Sequence, residues 1–236
     1  GRLQLLQPRE GYRAAVDPVL LAASIPATSG QSVLELGCGV ATALLCLNTR
    51  VAGLSLTGVE VQTAYADLAR RNAGGNAVIV ESDLRNLPDT IRQKQYDHVM
   101  MNPPYFDRAT GNEAADKGRD LGRGGDTLLS DWLDVGIKRV APKGHLTLIQ
   151  HINRLPDVLA ALDGRMGSMI VKLVTPRQGK PPNLFLLQAR QAGRAPFVID
   201  APLVMHTGDA HMKDSESYTP QVAGILRNGE SLPIGH

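Results

Sequence analysis

Val33-Leu34-Glu35-Leu36 runs directly into Gly37-Cys38-Gly39, and residues 41–47 follow with a helical apolar pattern. An apolar strand, a tight glycine turn and a helix in that order form the opening unit of a doubly wound α/β sheet. Related units recur downstream. Residues 54–59 read as a strand ending at Glu60, 63–72 as a helix stopped by Gly74-Gly75, and 77–80 as a strand leading to Glu81-Ser82-Asp83. Residues 97–101 form a further strand that stops at Asn102-Pro103-Pro104-Tyr105. Segments 128–140 and 154–162 carry helical patterns, and 144–150, 169–174 and 184–189 are apolar enough for three more strands. The expectation is one domain over 1–236, with a mostly parallel seven-stranded sheet and helices on both faces. Residues 107–126, rich in Gly, Asp and Arg, read as a mobile substrate loop. The stretch after Gly193 shows no period and receives no element.

Bulk properties exclude several classes. No apolar run approaches the roughly 18 residues of a membrane helix, and no secretory leader precedes the short apolar stretch 19–25. A soluble, cytoplasmic protein with no membrane partner is expected. The two cysteines, Cys38 and Cys46, match neither a zinc pair nor a disulfide framework. Six histidines are scattered, and His206 with His211 lacks a third ligand nearby, so no metal is expected. Net charge is only +2, yet Arg165, Lys172, Arg177, Lys180, Arg190 and Arg194 lie in a stretch with no Asp or Glu. That stretch is either a solvated edge or a phosphate-contacting surface.

In an open α/β sheet, ligands bind outside the carboxyl ends of the strands, where Gly37 and Gly39 let backbone approach a nucleotide. Glu60, 21 residues after Gly39, is placed for both ribose hydroxyls. A nicotinamide dehydrogenase shares this arrangement. Two details favour S-adenosylmethionine instead: Glu35 suits a cationic amino-acid moiety better than a pyrophosphate, and Asp83 can accept from an adenine amino group. Cys38, Leu84 and Asn102 adjoin these residues in the expected cofactor site.

Asn102-Pro103-Pro104-Tyr105 falls on the same sheet edge and supplies the chemistry that a planar amino group requires. The lone pair of such a nitrogen is delocalised, and no side chain deprotonates it near neutral pH. Acceptors serve instead: the Asn102 side-chain oxygen and the Pro103 carbonyl can take the two amino hydrogens and favour a pyramidal nitrogen. The prolines hold that carbonyl in a rigid, extended backbone, and Tyr105 offers a flat face to a base. Stacking of that kind is worth roughly 1–3 kcal/mol per base.

Residues 34–39 together with Asn102–Tyr105 resemble the Rossmann-like, class I amino methyltransferases that modify adenine N6, guanine N2 or glutamine. Gln7-Pro8-Arg9-Glu10-Gly11-Tyr12-Arg13, Asp17-Pro18-Val19-Leu20-Leu21-Ala22, Phe106, Asp131-Trp132-Leu133 and Tyr218-Thr219-Pro220 extend the resemblance to the bacterial tRNA(Val) adenine N6-methyltransferases. That resemblance implies S-adenosylmethionine as cofactor and tRNA as partner, with the adenine next to the anticodon as target. It assigns Glu35, Gly37, Gly39, Glu60 and Asp83 to the cofactor and Asn102, Pro103, Pro104 and Tyr105 to the base. It also puts Arg13 and Asp17 in an N-terminal segment, 1–30, that closes over the methionine end. Ala41 stands where such proteins often carry glycine. Three rivals remain: a glutamine N5-methyltransferase, disfavoured because only a short segment precedes Gly37; a ribosomal RNA guanine N2-methyltransferase; and a non-catalytic RNA-binding module, which would not need Asn102.

Overall fold

Side-chain alternation along one central strand sets the layering. In β1 (Ser32–Leu36), Val33 packs into one apolar cluster, whereas Leu34 and Leu36 pack into another. A strand buried on both faces needs a helical layer on each. In the computed structural model, which describes residues 3–105, 127–208 and 217–235, those layers are present. Phe106, the 107–126 segment and His211 lie outside the described residues. On the Val33 side pack α1 (Asp17–Ser24), α2 (Thr42–Arg50) and α3 (Thr63–Ala73). On the other side pack the short α4 (Asp89–Arg92), then α5 (Leu129–Arg139) and α6 (Leu155–Leu162).

The remaining strands are β2 (Ser55–Glu60), β3 (Val78–Glu81), β4 (Tyr96–Met101), β5 (Val140–His151), β6 (Gly167–Arg177), β7 (Leu184–Arg190) and β8 (Val198–His206). They lie in the order β3-β2-β1-β4-β5-β7-β6-β8, with β7 antiparallel to both neighbours and every other pairing parallel. The carboxyl ends of β1, β2, β3 and β4 therefore meet along one edge. There the chain turns at Gly37, Val61, Ser82 and Asn102.

Eight strands replace the expected seven, because the tail beyond Gly193 supplies β8. Two residues hide it in the sequence. Asp200 interrupts the apolar pattern, and Pro202 denies one backbone donor, which an edge strand tolerates. The register against β6 shifts between Lys172 and Val174, close to both. Asp200 is held by Lys172 at 2.8 Å, both side chains being nearly buried. It also accepts from the Gly235 N–H at 2.9 Å, which anchors the tail. After β8, α7 (Pro220–Ala223) starts with Thr219 Oγ1 accepting from the Val222 N–H. Val222 and Ile225 then join the cluster beneath α1. Among the described residues no helix is long and apolar enough to cross a membrane.

Candidate active site

The turn after β1 is built from left-handed backbone. Gly37 and Gly39 have φ of +64° and +55°, and Ala41 follows at +66°. Alanine pays roughly 1–2 kcal/mol for that conformation, which is why the family resemblance anticipates glycine there. A methyl group on Gly37 would also run into the Trp132 indole, whereas the space above Gly39 is open.

Helix α2, whose flanking Ala41 provides no side-chain cap, is capped from the strand: the Leu44 N–H donates to Glu35 at 3.2 Å. Glu60 binds across the turn, accepting from the Gly39 and Gln62 N–H groups, each at 2.9 Å. Burial pushes both carboxyls above their usual range. At Glu35 the nearby Glu60 charge adds to this and the Leu44 N–H opposes it; at Glu60 the surrounding N–H groups oppose it. Two acids held reluctant to ionise suit a site whose ligand brings positive charge.

These groups open into a cleft of about 1030 Å³, counting its mouth. Glu35, Gly37, Cys38, Gly39, Glu60, Asp83, Leu84 and Asp17 line it, as do Asn102, Pro103, Pro104 and Tyr105. Arg13 does not; it is exposed, while its neighbours Tyr12 and Ala14 form part of the wall. Asp83 caps a short 3-10 turn and grips Arg85 at 2.7 Å, and that guanidinium keeps its carboxyl below the usual range. The segment before α1 lies across α3. Asn72 holds both the N–H and the C=O of Leu6, at 2.8 and 2.9 Å, and the Tyr65 hydroxyl donates to the Tyr12 carbonyl at 3.1 Å.

The tetrapeptide is tied at two points. The Tyr105 hydroxyl donates to Asp17 Oδ2 at 2.6 Å, linking the aromatic ring to the first residue of α1. From the end of β5, the fully buried Gln150 donates through Nε2 to the Pro103 and Pro104 carbonyls at 3.2 and 3.3 Å. The same amide is oriented by the His151 N–H, which donates to its Oε1 at 2.7 Å. Gln150 has no counterpart in the sequence reading. A lone amide ending an apolar strand carries no spacing signal, and only the β4–β5 pairing brings it to the prolines. Tyr65, Gln62 and Thr42 were missed likewise, and Trp132 was noted only as part of a family signature.

Thr42 Oγ1 and Trp132 Nε1 are buried without hydrogen-bond partners, and both residues line the cleft. Native proteins leave few buried donors of this kind without a partner, and a polar ligand in the cleft is one way to supply it. With two carboxylates for an ammonium and ribose, open space above Gly39 and these donors, the residues fit S-adenosylmethionine.

The acid-free basic stretch does not make one surface. Lys172 is buried against Asp200, and Arg177 is buried with its guanidinium donating to the Thr207 and Gly208 carbonyls. Sheet pairing separates the rest: Arg190 pairs opposite His145 and Gly167, at the strand end remote from the cleft, whereas Lys180 follows β6 at the cleft end. Arg165 is exposed and bridges to Asp134 at 2.6 Å, and Arg194 is exposed beyond β7. The antiparallel course of β6 and β7, which sends their ends to opposite edges of the sheet, is what disperses the cluster.

This sheet, with acids at successive carboxyl ends and Asn-Pro-Pro-Tyr beside them, defines a class I, Rossmann-like methyltransferase. A family model described as the methyltransferase small domain matches residues 15–118. A tRNA1(Val) (adenine(37)-N6)-methyltransferase from Porphyromonas gingivalis is 30% identical over 217 residues, covering 83% of each chain. One of the same description from Shewanella baltica is 29% identical over 160 residues, a match spanning 64% of this chain and 66% of that protein. A crystal structure from Agrobacterium tumefaciens, described as a predicted O-methyltransferase, superposes with TM-score 0.73 at 24% identity, covering 92% of this chain and 98% of that one. The chain belongs to the tRNA1(Val) (adenine(37)-N6)-methyltransferase family.

Proposed function

We propose that this protein transfers a methyl group from S-adenosylmethionine to N6 of adenine 37 in a tRNA1(Val), working in the cytoplasm as a single domain. The observation that carries the reading is the tetrapeptide at the mouth of the two-carboxylate cleft, its Pro103 carbonyl fixed by Gln150. S-adenosylmethionine, when bound, supplies an electrophilic methyl on a sulfonium. Glu35 would hold its ammonium, Glu60 its ribose and Asp83 its adenine, with Gly37, Cys38, Gly39 and Leu84 lining the space around them. Asn102 and Pro103 accept the two hydrogens of the target amino group, and Pro104 keeps the backbone extended. Tyr105 stacks on the base. Residues 1–30 close over the methionine end, and the Tyr105–Asp17 hydrogen bond ties that closure to the base platform. A base in a structured loop must first be turned out of its stack. Phosphate contacts fall to exposed cations, with Lys180 at the cleft end and Arg13 beside the mouth; Arg165, Arg190 and Arg194 would serve only an RNA reaching the far end.

The test uses labelled S-adenosylmethionine and a tRNA1(Val) transcript with adenine or guanine at position 37. Label should appear as N6-methyladenosine with the first and vanish with the second. N2-methylguanosine in the guanine transcript, or label in a protein fraction incubated in parallel, would transfer the reading to the guanine or glutamine class.

A pH effect follows from Glu35. Its folded pKa is raised, chiefly by burial, so the carboxyl is largely protonated just above its ordinary value of about 4.3. An ammonium beside it favours the charged form, so cofactor binding should release a proton. Affinity should therefore rise with pH up to that raised value and level off above it, where the Glu35 carboxylate is already charged before the cofactor arrives. Calorimetry in buffers of different ionisation enthalpy should register the released proton, and Glu35→Gln, which can still accept from Leu44, should abolish it. Equal proton release from both proteins would remove Glu35 from this role.

A further inference from the structure

At the end of the sheet remote from the cleft, the starts of β4 and β5, the ends of α2 and β7 and tail residues 231–235 surround a second cavity of about 1470 Å³, counting its mouth. Its charge is unbalanced. Arg50, Lys143 and Arg190 line it against a single carboxylate, Asp97, whose Oδ2 already accepts from the Ser32 N–H and hydroxyl at 2.8 and 2.7 Å. Two histidines, His98 and His145, paired across β4 and β5, complete the wall and stack with ring centroids 5.6 Å apart.

Two nitrogen atoms in this wall are buried and unpartnered. His98, 2% exposed, meets Gln31 Oε1 through Nε2 at 2.9 Å, which leaves its Nδ1 with nothing to bond. Arg50 gives Nη2 to the Ala22 and Ile25 carbonyls at 3.0 and 2.6 Å, which leaves its Nε without a partner. Native proteins leave few such atoms unpaired without a ligand, ion or water to satisfy them. Lys143 adds a third anomaly, a lysine at φ +68° where glycine would be unstrained.

We infer that this cavity is a second binding site, one that takes a phosphoryl group, physically separate from the methyl-transfer cleft. The acceptor oxygens of a phosphoryl group match the Lys143 ammonium and the two Nη groups of Arg190, whose Nε already donates to the Lys143 carbonyl at 3.2 Å, while Arg50 holds its unpartnered Nε–H buried behind that wall. His98 is faced by Asp97 on its own strand, His145 on β5 and Arg50 on α2; burial, His145 and Arg50 hold its pKa near 4, against the pull of Asp97. In the neutral ring Nε2–H donates to Gln31 Oε1, so Nδ1 is an acceptor and can meet a phosphoryl oxygen only through a proton that the oxygen carries. The phosphoryl group has two sources, a free phosphate or nucleotide and the backbone of an RNA.

The test is a nuclear magnetic resonance titration of the full chain, following the side-chain nitrogens of His98 and His145. The probes are inorganic phosphate, adenosine 5′-monophosphate and a short single-stranded RNA. Saturable shifts at both imidazoles are expected. A response to phosphate or the mononucleotide assigns the site to small anions, and a response to RNA alone assigns it to the backbone. Lys143→Gly relieves the positive φ while removing the ammonium, so it should preserve the fold; combined with Arg190→Gln it should weaken binding at least about tenfold. S-adenosylmethionine affinity should not change. Unmoved imidazole signals with all three probes, or equal affinity in the double variant, would overturn the proposal.

Discussion

Asn102→Ala should bind S-adenosylmethionine with unchanged affinity and methylate RNA at least about a hundredfold more slowly, the loss falling on kcat. The expectation rests on what the site can and cannot do for an aromatic amine. No base in the cleft could deprotonate such a nitrogen before attack, so the rate gain has to come from drawing its lone pair out of conjugation and aiming it at the methyl donor. In the proposed mechanism Asn102 and the Pro103 carbonyl accept the two hydrogens together. Removing one leaves a single acceptor, and a nitrogen held by one hydrogen bond relaxes toward the plane of the ring. Cofactor affinity is a separate matter because Glu35, Glu60 and Asp83 hang from β1, β2 and β3 and do not depend on the Asn102 side chain. Equilibrium binding beside single-turnover methylation separates the two. A variant with near-normal single-turnover rate would refute the acceptor mechanism.

The division between what the sequence discloses and what it withholds follows the range of the interactions. The glycine turn, Glu60 and the tetrapeptide each sit where an apolar strand stops, so local pattern suffices to put them on one sheet edge. Every residue whose place depends on strand order was harder. Gln150 meets the prolines only because β5 lies beside β4, and Trp132 reaches Gly37 only because α5 packs over that junction. Residues close in sequence misled for the same reason. Six cations without an acid between them look like a surface, yet β6 and β7 run antiparallel and send their ends to opposite sides of the molecule. Lys172 and Arg177 turn inward because Asp200 and the Thr207 carbonyl, roughly thirty residues away, wait for them. β8 escaped notice because an edge strand can carry Asp200 and Pro202, provided that a partner neutralises one and solvent accommodates the other.

Gln150→Leu should keep the fold and the cofactor affinity and reduce kcat by about ten- to a hundredfold. The amide fills no ligand space; it holds two carbonyls and is itself held by the His151 N–H. A carbonyl oxygen has two lone pairs, so the bond from Gln150 leaves one on Pro103 to face the substrate and fixes its direction. Leucine matches the volume but frees the carbonyl, and a buried acceptor without its donor costs about 1–3 kcal/mol. Misdirection by a fraction of an ångström then falls on the transition state, because the alignment of nitrogen and methyl is what the tetrapeptide enforces. Gln150→Glu separates positioning from mere packing. An ionised carboxylate facing two carbonyl oxygens repels them, and burial together with those dipoles raises its pKa. Once protonated, it can donate to one carbonyl again. Activity of Gln150→Glu should therefore recover as pH falls through that raised pKa, relative to the unmodified protein measured alongside. A structural defect would not reverse with pH, so a constant ratio of the two rates across the range would show that Gln150 does no more than fill the core.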